Sequence, residues 1–149
     1  GVNGLLAQGE RIILPTLSDL AQDVVELAGP GRSGSDITLL GADISDAFHQ
    51  VPLNASERRF TLAAVGNHVY EFRVLVFGSG SAPTVWGRFA AFLGRTVMAV
   101  VGPDTFRAEV YVDDPVFAAV GSQGEVNAQF TMALLWTAVL GFPVSWAKA

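Results

Sequence analysis

Cysteine is absent from all 149 residues, which excludes disulfides and thiolate zinc sites and suits an intracellular chain. Charge is scarce too: 15% of residues are charged, and nine Lys and Arg face fourteen Asp and Glu for a formal net charge of −5. A free-standing nucleic-acid binder grips phosphates with a basic patch or stripe, so this balance excludes that class for the chain on its own. No basic-apolar signal peptide opens the sequence. Internal repeats and low-complexity tracts are missing, and the two histidines, His49 and His68, have no metal-ligand spacing. The chain starts on Gly1 rather than Met and stops at Lys148-Ala149, which gives the expectation of a piece of something longer.

What is present is apolar. Half of the residues are hydrophobic, and 149 residues suffice for one domain with a real core. From Val126 to Ala147 no residue is charged, so a membrane-associated domain has to be weighed. Gly141-Phe142-Pro143 interrupts that stretch, because Gly followed closely by Pro stops a helix, and the helical part before it is short for a bilayer. A buried helix followed by a short strand, Phe142 to Trp146, fits better.

Tyr111-Val112-Asp113-Asp114 carries the chemistry. Val110 to Val112 and Val116 to Val120 are rich in β-branched and aromatic residues, and Asp-Asp-Pro between them supplies turn chemistry. The stretch therefore reads as strand, tight turn, strand. Adjacent carboxylates repel, and in a partly desolvated site one takes up a proton unless a cation lies between them. Hard oxygen ligands of this kind suit Mg²⁺; a solvated turn rich in Asp is the bland alternative. Upstream, the β-branched run from Asp36 ends at Asp43. A carboxylate there can meet the Asp113 hairpin from a neighbouring strand, a donor set for two metal ions roughly 3.5–4 Å apart.

Asp43-Ile44-Ser45-Asp46-Ala47-Phe48-His49-Gln50-Val51-Pro52-Leu53, then Arg58-Arg59-Phe60-Thr61, then Val76-Phe77-Gly78-Ser79-Gly80-Ser81-Ala82-Pro83, then Tyr111-Val112-Asp113-Asp114 resemble the reverse transcriptases of retroelements, in order and spacing. The resemblance covers the chain from about Leu14 to its end. It implies an α+β polymerase palm, a mostly antiparallel sheet covered on one face by helices, with a small fingers hairpin at 54–75. The thumb and most of the fingers are expected to lie outside the chain, in the remainder of a larger polyprotein.

The order of elements can be read without the resemblance. Thr16 or Ser18 with Asp19 caps a helix that Gly29-Pro30-Gly31 ends near Ala28. The Asp43 strand follows, with a turn of helix at Asp46 to Gln50. Phe60 to Val65 and His68 to Val74 form a hairpin about Gly66-Asn67. Pro83 opens a helix from Ala82 to about Val101, and after the Asp113 hairpin a last helix runs from about Glu125 to Leu140.

The resemblance implies roles residue by residue. Asp43, Asp113 and Asp114 match the family's catalytic carboxylates, holding two Mg²⁺, with Mn²⁺ as a substitute. Ile44 matches the position whose carbonyl joins the metal, and its side chain reads as core. The Ser45-Asp46-Ala47 backbone matches the segment that receives the triphosphate, although Asp46 by itself reads as an N-cap. Phe48 matches the aromatic gate that favours deoxynucleotides. Phe77 and Gly78 match the loop at the base and sugar, with Ser81 and Pro83 toward the template; Gly80 and Ser81 depart from the family habit of a larger residue and Asn. Lys148 matches the lysine that protonates pyrophosphate. Arg58, Arg59 and Tyr111 match nucleic-acid contacts, and Pro115 fixes the backbone just after Asp114. Implied partners are an RNA or DNA template with its primer and deoxynucleoside triphosphates, and no membrane. Besides the membrane-associated reading, two alternatives stay open: an RNA-dependent RNA polymerase palm, and a non-catalytic remnant serving as a structural or binding module.

Overall fold

The structure of the chain, a computed structural model, describes residues 12–30 and 36–145. In chain order it contains α1 (Leu17–Ala28), β1 (Ile37–Gly41), a 3₁₀ turn (Ala47–Gln50), α2 (Ala55–Arg58), β2 (Leu62–Val65), β3 (His68–Glu71), α3 (Ala82–Val101), β4 (Phe106–Tyr111), β5 (Asp114–Val120) and α4 (Gln123–Val139). Mixed helices and antiparallel strands make it an α+β chain, as the order of elements implies. It divides into two compact units, Ile13–Ser45 with Phe89–Ala149 and Gly1–Ile12 with Asp46–Arg88.

The larger unit is built on a three-stranded antiparallel sheet in the order β1-β5-β4. β5 is the central strand, pairing Ile37 with Val120 through Gly41 with Val116 on one side and Phe106 with Ala119 through Tyr111 with Asp114 on the other. Successive side chains of a strand alternate between faces. Phe106, Ala108, Val110, Phe117 and Ala119 therefore share one face, and Arg107, Glu109, Tyr111, Ala118 and Val120 share the other. On the first face Phe106 stacks on Phe117 at 5.6 Å between ring centroids and meets Phe130 of α4 edge-on at 6.4 Å. Each such pair contributes about 0.5–1.5 kcal/mol beyond its area. α3 crosses the same face, where a Cβ built on Gly94 would lie 3.5 Å from the Ala108 carbonyl oxygen.

α1 lies against the second face, at one end of the strands. Thr16 and Asp19 form a reciprocal capping box at its start, and Gly29, at φ 54°, ends it. Its buried Leu27 packs on Ala118, Val120 and Ile37, a burial worth about 1.5–3 kcal/mol. Beside this apolar contact runs a polar one. Arg107 places Nε 3.5 Å from Asp23 Oδ1 and Nη2 3.4 Å from Glu26 Oε2. Burial raises the carboxyls of both Asp23 and Glu109, and for Glu109 the neighbouring Asp23 charge raises it further. Asp23 Oδ2 is buried without a hydrogen-bond donor among the described residues.

α4 follows a second capping box, Ser122 with Glu125. Val126, Ala133 and Thr137 form its buried side, while Met132, Leu135 and Val139 stay exposed. Among the described residues no helix is long and apolar enough to cross a membrane.

The smaller unit holds the β2–β3 hairpin. Leu62 pairs with Glu71 and Val65 with His68, so Gly66-Asn67 forms the turn, as its sequence predicts. Its strands are shorter than the sequence suggests, because α2 takes up residues 55–58 just before them. Asn54 caps α2, accepting from the Ser56 N–H at 3.0 Å. Among the described residues, Ala47, Val51, Leu75, Ala82 and Trp86 are the buried ones of this unit.

Two local expectations need correcting. The turn of the Asp113 hairpin is Val112-Asp113, not Asp-Asp-Pro: Asp114 and Pro115 already pair with Tyr111 and Val110 as part of β5. Pro115 is fully buried in the central strand, a position open to proline because β1 pairs there only through the Ala42 N–H, which donates to the Pro115 carbonyl. Asp46 is not a side-chain cap. It sits at φ 52° with no capping bond, its Oδ1 3.8 Å from His49 Nδ1.

Candidate active site

β1 ends at Gly41, but its partnership with β5 does not. The Ala42 N–H donates to the Pro115 carbonyl oxygen at 2.9 Å and the Ile44 N–H to that of Asp113 at 2.8 Å. Continuing the register places Asp43 opposite Asp114, on the face that also carries Tyr111. Asp43 and the distant Asp113-Asp114 pair thus sit on adjacent backbones at one end of the sheet. Asp43 and Asp113 are half-buried, Asp114 is exposed, and Tyr111 is 53% exposed and so not a core residue.

The other edge of the Asp43 segment is also held. The Ser45 N–H donates to the Pro143 carbonyl and the Ser145 N–H to the Asp43 carbonyl, both at 2.8 Å, about a bridge between Ile44 and Val144. Of the strand expected over Phe142 to Trp146, a bridge at Val144 is present as a short clamp, and Trp146 lies outside the described residues. Ile44, 1% exposed at its centre, has the core side chain its sequence suggests. Because the Ser45 amide is committed to Pro143, it is not an open donor for a phosphate.

The tip of the hairpin is strained. Val112 has φ 55°, and Asp46 is the other non-glycine residue with positive φ among the described residues. A polar Asp tolerates this region, whereas a β-branched residue there costs on the order of 1–3 kcal/mol. Such strain gathers where the surrounding structure fixes functional groups.

The smaller unit brings together a different set. The Phe48 ring meets Phe77 edge-on at 5.6 Å and tilts over Trp86 at 6.0 Å. Phe77 is 79% exposed and precedes Gly78, at φ 90°, in the turn before α3. Ser81 Oγ lies 3.4 Å from Ser79 Oγ, and Pro83 is exposed in the first turn of α3. Ala47 is buried. Arg58 is half-buried and donates through Nε to the Leu53 carbonyl at 3.3 Å, while the Arg59 guanidinium lies 4.7 Å above the Phe60 ring. Lys148 lies outside the described residues.

The chemistry open to the aspartates follows from their donor set, since carboxylate oxygens are the hard ligands that Mg²⁺ and Mn²⁺ take. Among the described residues no three Asp, Glu or His side chains gather closely enough to enclose an ion. The backbone bonds that set Asp43 beside the Asp113 hairpin are in place.

A family model for reverse transcriptases (RNA-dependent DNA polymerases) matches residues 15–149. The chain belongs to the reverse transcriptase family. A search of curated proteins gives no match. Membership brings nucleotidyl transfer, a nucleic-acid template and nucleotide substrates in general. Within this reverse transcriptase chain three contributors escape a reading of the sequence. Trp86 looks like any apolar residue of a helix, Pro143 acts through its carbonyl alone, and nothing in the residue type of Val112 announces positive φ. Gly141-Phe142-Pro143 was the available signal for the clamp, as a helix stop that turns the chain back.

Proposed function

We propose that this chain is the palm, with part of the fingers at 54–75, of a retrotransposon-type RNA-directed DNA polymerase in a larger polyprotein. The observation that carries this reading is the backbone bond from Ile44 to Asp113, which sets Asp43 beside Asp113-Asp114. Asp43, Asp113 and Asp114 would hold two Mg²⁺, with Mn²⁺ as a substitute and the Ile44 carbonyl as a further ligand. When bound, the ions supply activation of a primer 3′-hydroxyl and stabilisation of the leaving pyrophosphate.

The rest of the work falls to the chain itself. Val112 and Pro115 fix the backbone on both sides of the hairpin carboxylates, so little conformational freedom is lost when they engage. Phe48, backed by Phe77 and Trp86, gives a rigid aromatic wall suited to excluding a 2′-hydroxyl. Asp46 and Ala47 are left as the amides for a triphosphate, since that of Ser45 is in use. Gly78 with Ser81 and Pro83 would approach base and template, Arg59 and Tyr111 nucleic acid, and Lys148 the pyrophosphate. Arg58 would reach nucleic acid only by leaving the Leu53 carbonyl. With nine basic residues against fourteen acidic ones, most of the grip on template and primer is assigned to segments outside this chain.

A second reading, a non-catalytic remnant acting as a binding module, has that same charge balance in its favour. Calorimetric titration with Mn²⁺ separates the two. Binding that Asp43→Asn and Asp113→Asn each abolish supports the polymerase reading, and no detectable binding by the folded chain supports the remnant.

A further inference from the structure

Asp43 lies just beyond β1, where two other backbones take hold of the chain. β1 ends two residues earlier, and Asp43-Ile44-Ser45 is kept extended by backbone bonds on two sides. One side is the β5 hairpin, a regular ladder. The other is 143–145, a segment with no regular structure of its own, which must therefore be fixed from elsewhere.

The fixing point is Phe142. α4 ends in a two-bond cap: the Gly141 N–H donates to the Ala138 carbonyl at 2.9 Å and the Phe142 N–H to the Thr137 carbonyl at 3.1 Å. This is the Schellman arrangement, with Gly141 at φ 86° as the left-handed residue and Phe142 just beyond it. The Phe142 side chain is 7% exposed and meets the Phe89 ring of α3 edge-on at 6.5 Å. The next residue, Pro143, presents the carbonyl that the Ser45 N–H takes, and Ser145 donates back to Asp43. One buried ring thus lies between the end of α4 and the start of the clamp.

We propose that Phe142 is a positioning residue for Asp43: seated against Phe89, it aims the 143–145 backbone that pins the Asp43 peptide beside the Asp113 hairpin. The proposal rests on the reading of Asp43 as a metal ligand, but its first readout does not. Supporting groups behind a metal ligand are worth about 10–100-fold in affinity, and a loosened clamp exposes its own amides to exchange.

The test compares Phe142→Ala, the conservative Phe142→Leu, and Leu27→Ala, a core truncation on the opposite face of the sheet, as a control for general loss of stability. Hydrogen exchange of single amides and Mn²⁺ affinity are measured on each folded protein. In Phe142→Ala the Ser45 and Ser145 amides are expected to exchange at least about 10-fold faster while Ile44, bonded to Asp113, keeps its protection. Mn²⁺ affinity falls about 10-fold. Phe142→Leu restores both, and Leu27→Ala moves neither selectively.

Unchanged exchange at Ser45 and Ser145 in folded Phe142→Ala overturns the proposal, as does an equal loss of affinity in Leu27→Ala. If the unsubstituted chain binds no Mn²⁺, the metal reading fails, and exchange alone decides the positioning role. If Phe142→Ala does not fold, Phe89→Ala takes its place, and unchanged protection of Ser45 and Ser145 in that variant counts against the proposal equally.

Discussion

The N–H of Ile44 donates to the carbonyl oxygen of Asp113 at 2.8 Å, across 69 positions of sequence. That bond extends the β1–β5 pairing beyond the end of β1 and makes Asp43 and Asp113-Asp114 neighbours. With it in place, the pairing rests on backbone atoms, so the aspartate side chains can be changed separately from the fold.

Asp113→Asn removes a carboxylate and leaves that carbonyl untouched. Primer extension with Mg²⁺ by a longer chain that carries fingers and thumb is expected to fall by more than ~100-fold, beyond what loss of a mere supporting group costs. The unfolding midpoint of the variant should stay close to that of the parent. Retained extension removes Asp113 from the metal role.

Val112→Gly acts in the opposite sense. Relief of strain at φ 55° returns about 1–3 kcal/mol, less about 0.5–1 kcal/mol for the greater freedom of glycine in the unfolded chain. A net gain of about 1 kcal/mol is expected in urea unfolding. The same variant should extend primers more slowly, because the hairpin loses its rigidity. A loss of stability would show that the Val112 conformation is not strained.

The pH dependence of stability has two arms with opposite signs. Asp23 and Glu109 are raised in the folded chain above their ordinary values of 3.8 and 4.5. Their contribution is therefore complete below those values and fades as pH rises through the folded ones. Asp19 and Glu125 are lowered by hydrogen bonds from Thr16 and Ser122, so theirs is present above 3.8 and 4.5 respectively and lost as pH falls through the folded values. Glu109→Gln removes one of the two raised carboxyls with little change in side-chain size. Urea unfolding across pH 2–8 should show a flatter high-pH arm in that variant and an unaltered low-pH arm.

Phe48→Ala tests the aromatic wall. Losing a half-buried ring that touches Phe77 and Trp86 should cost about 2 kcal/mol, less than the 3–5 kcal/mol of a fully buried Phe. If Phe48 is the sugar gate, the preference for deoxy- over ribonucleotides in single-nucleotide extension drops at the same time. Lower stability with unchanged sugar preference leaves Phe48 a packing residue alone.

Most of the fold is legible in the chain because it is written locally. Thr16 with Asp19 announces α1, Gly66-Asn67 the β2–β3 turn, and Pro83 with Gly102 brackets α3. Misreadings occur where distant partners override a local signal. Asp-Asp-Pro carries turn chemistry, yet the turn moves back to Val112-Asp113 because pairing with β4 draws Asp114 and Pro115 into β5. Asp46 looks like an N-cap, but a 3₁₀ turn entered from φ 52° offers its carboxylate no amide in reach.

The sequence by itself determined most of the elements and their order, since propensity and capping depend on neighbours along the chain. Only the tertiary structure decided that Asp43 lies between two backbones, that Val112 bears the strain of the hairpin, and that Phe142 stands behind the clamp. Those relationships are hydrogen bonds and ring contacts between residues tens of positions apart, formed only when the sheet closes on its helices, and no local pattern encodes them.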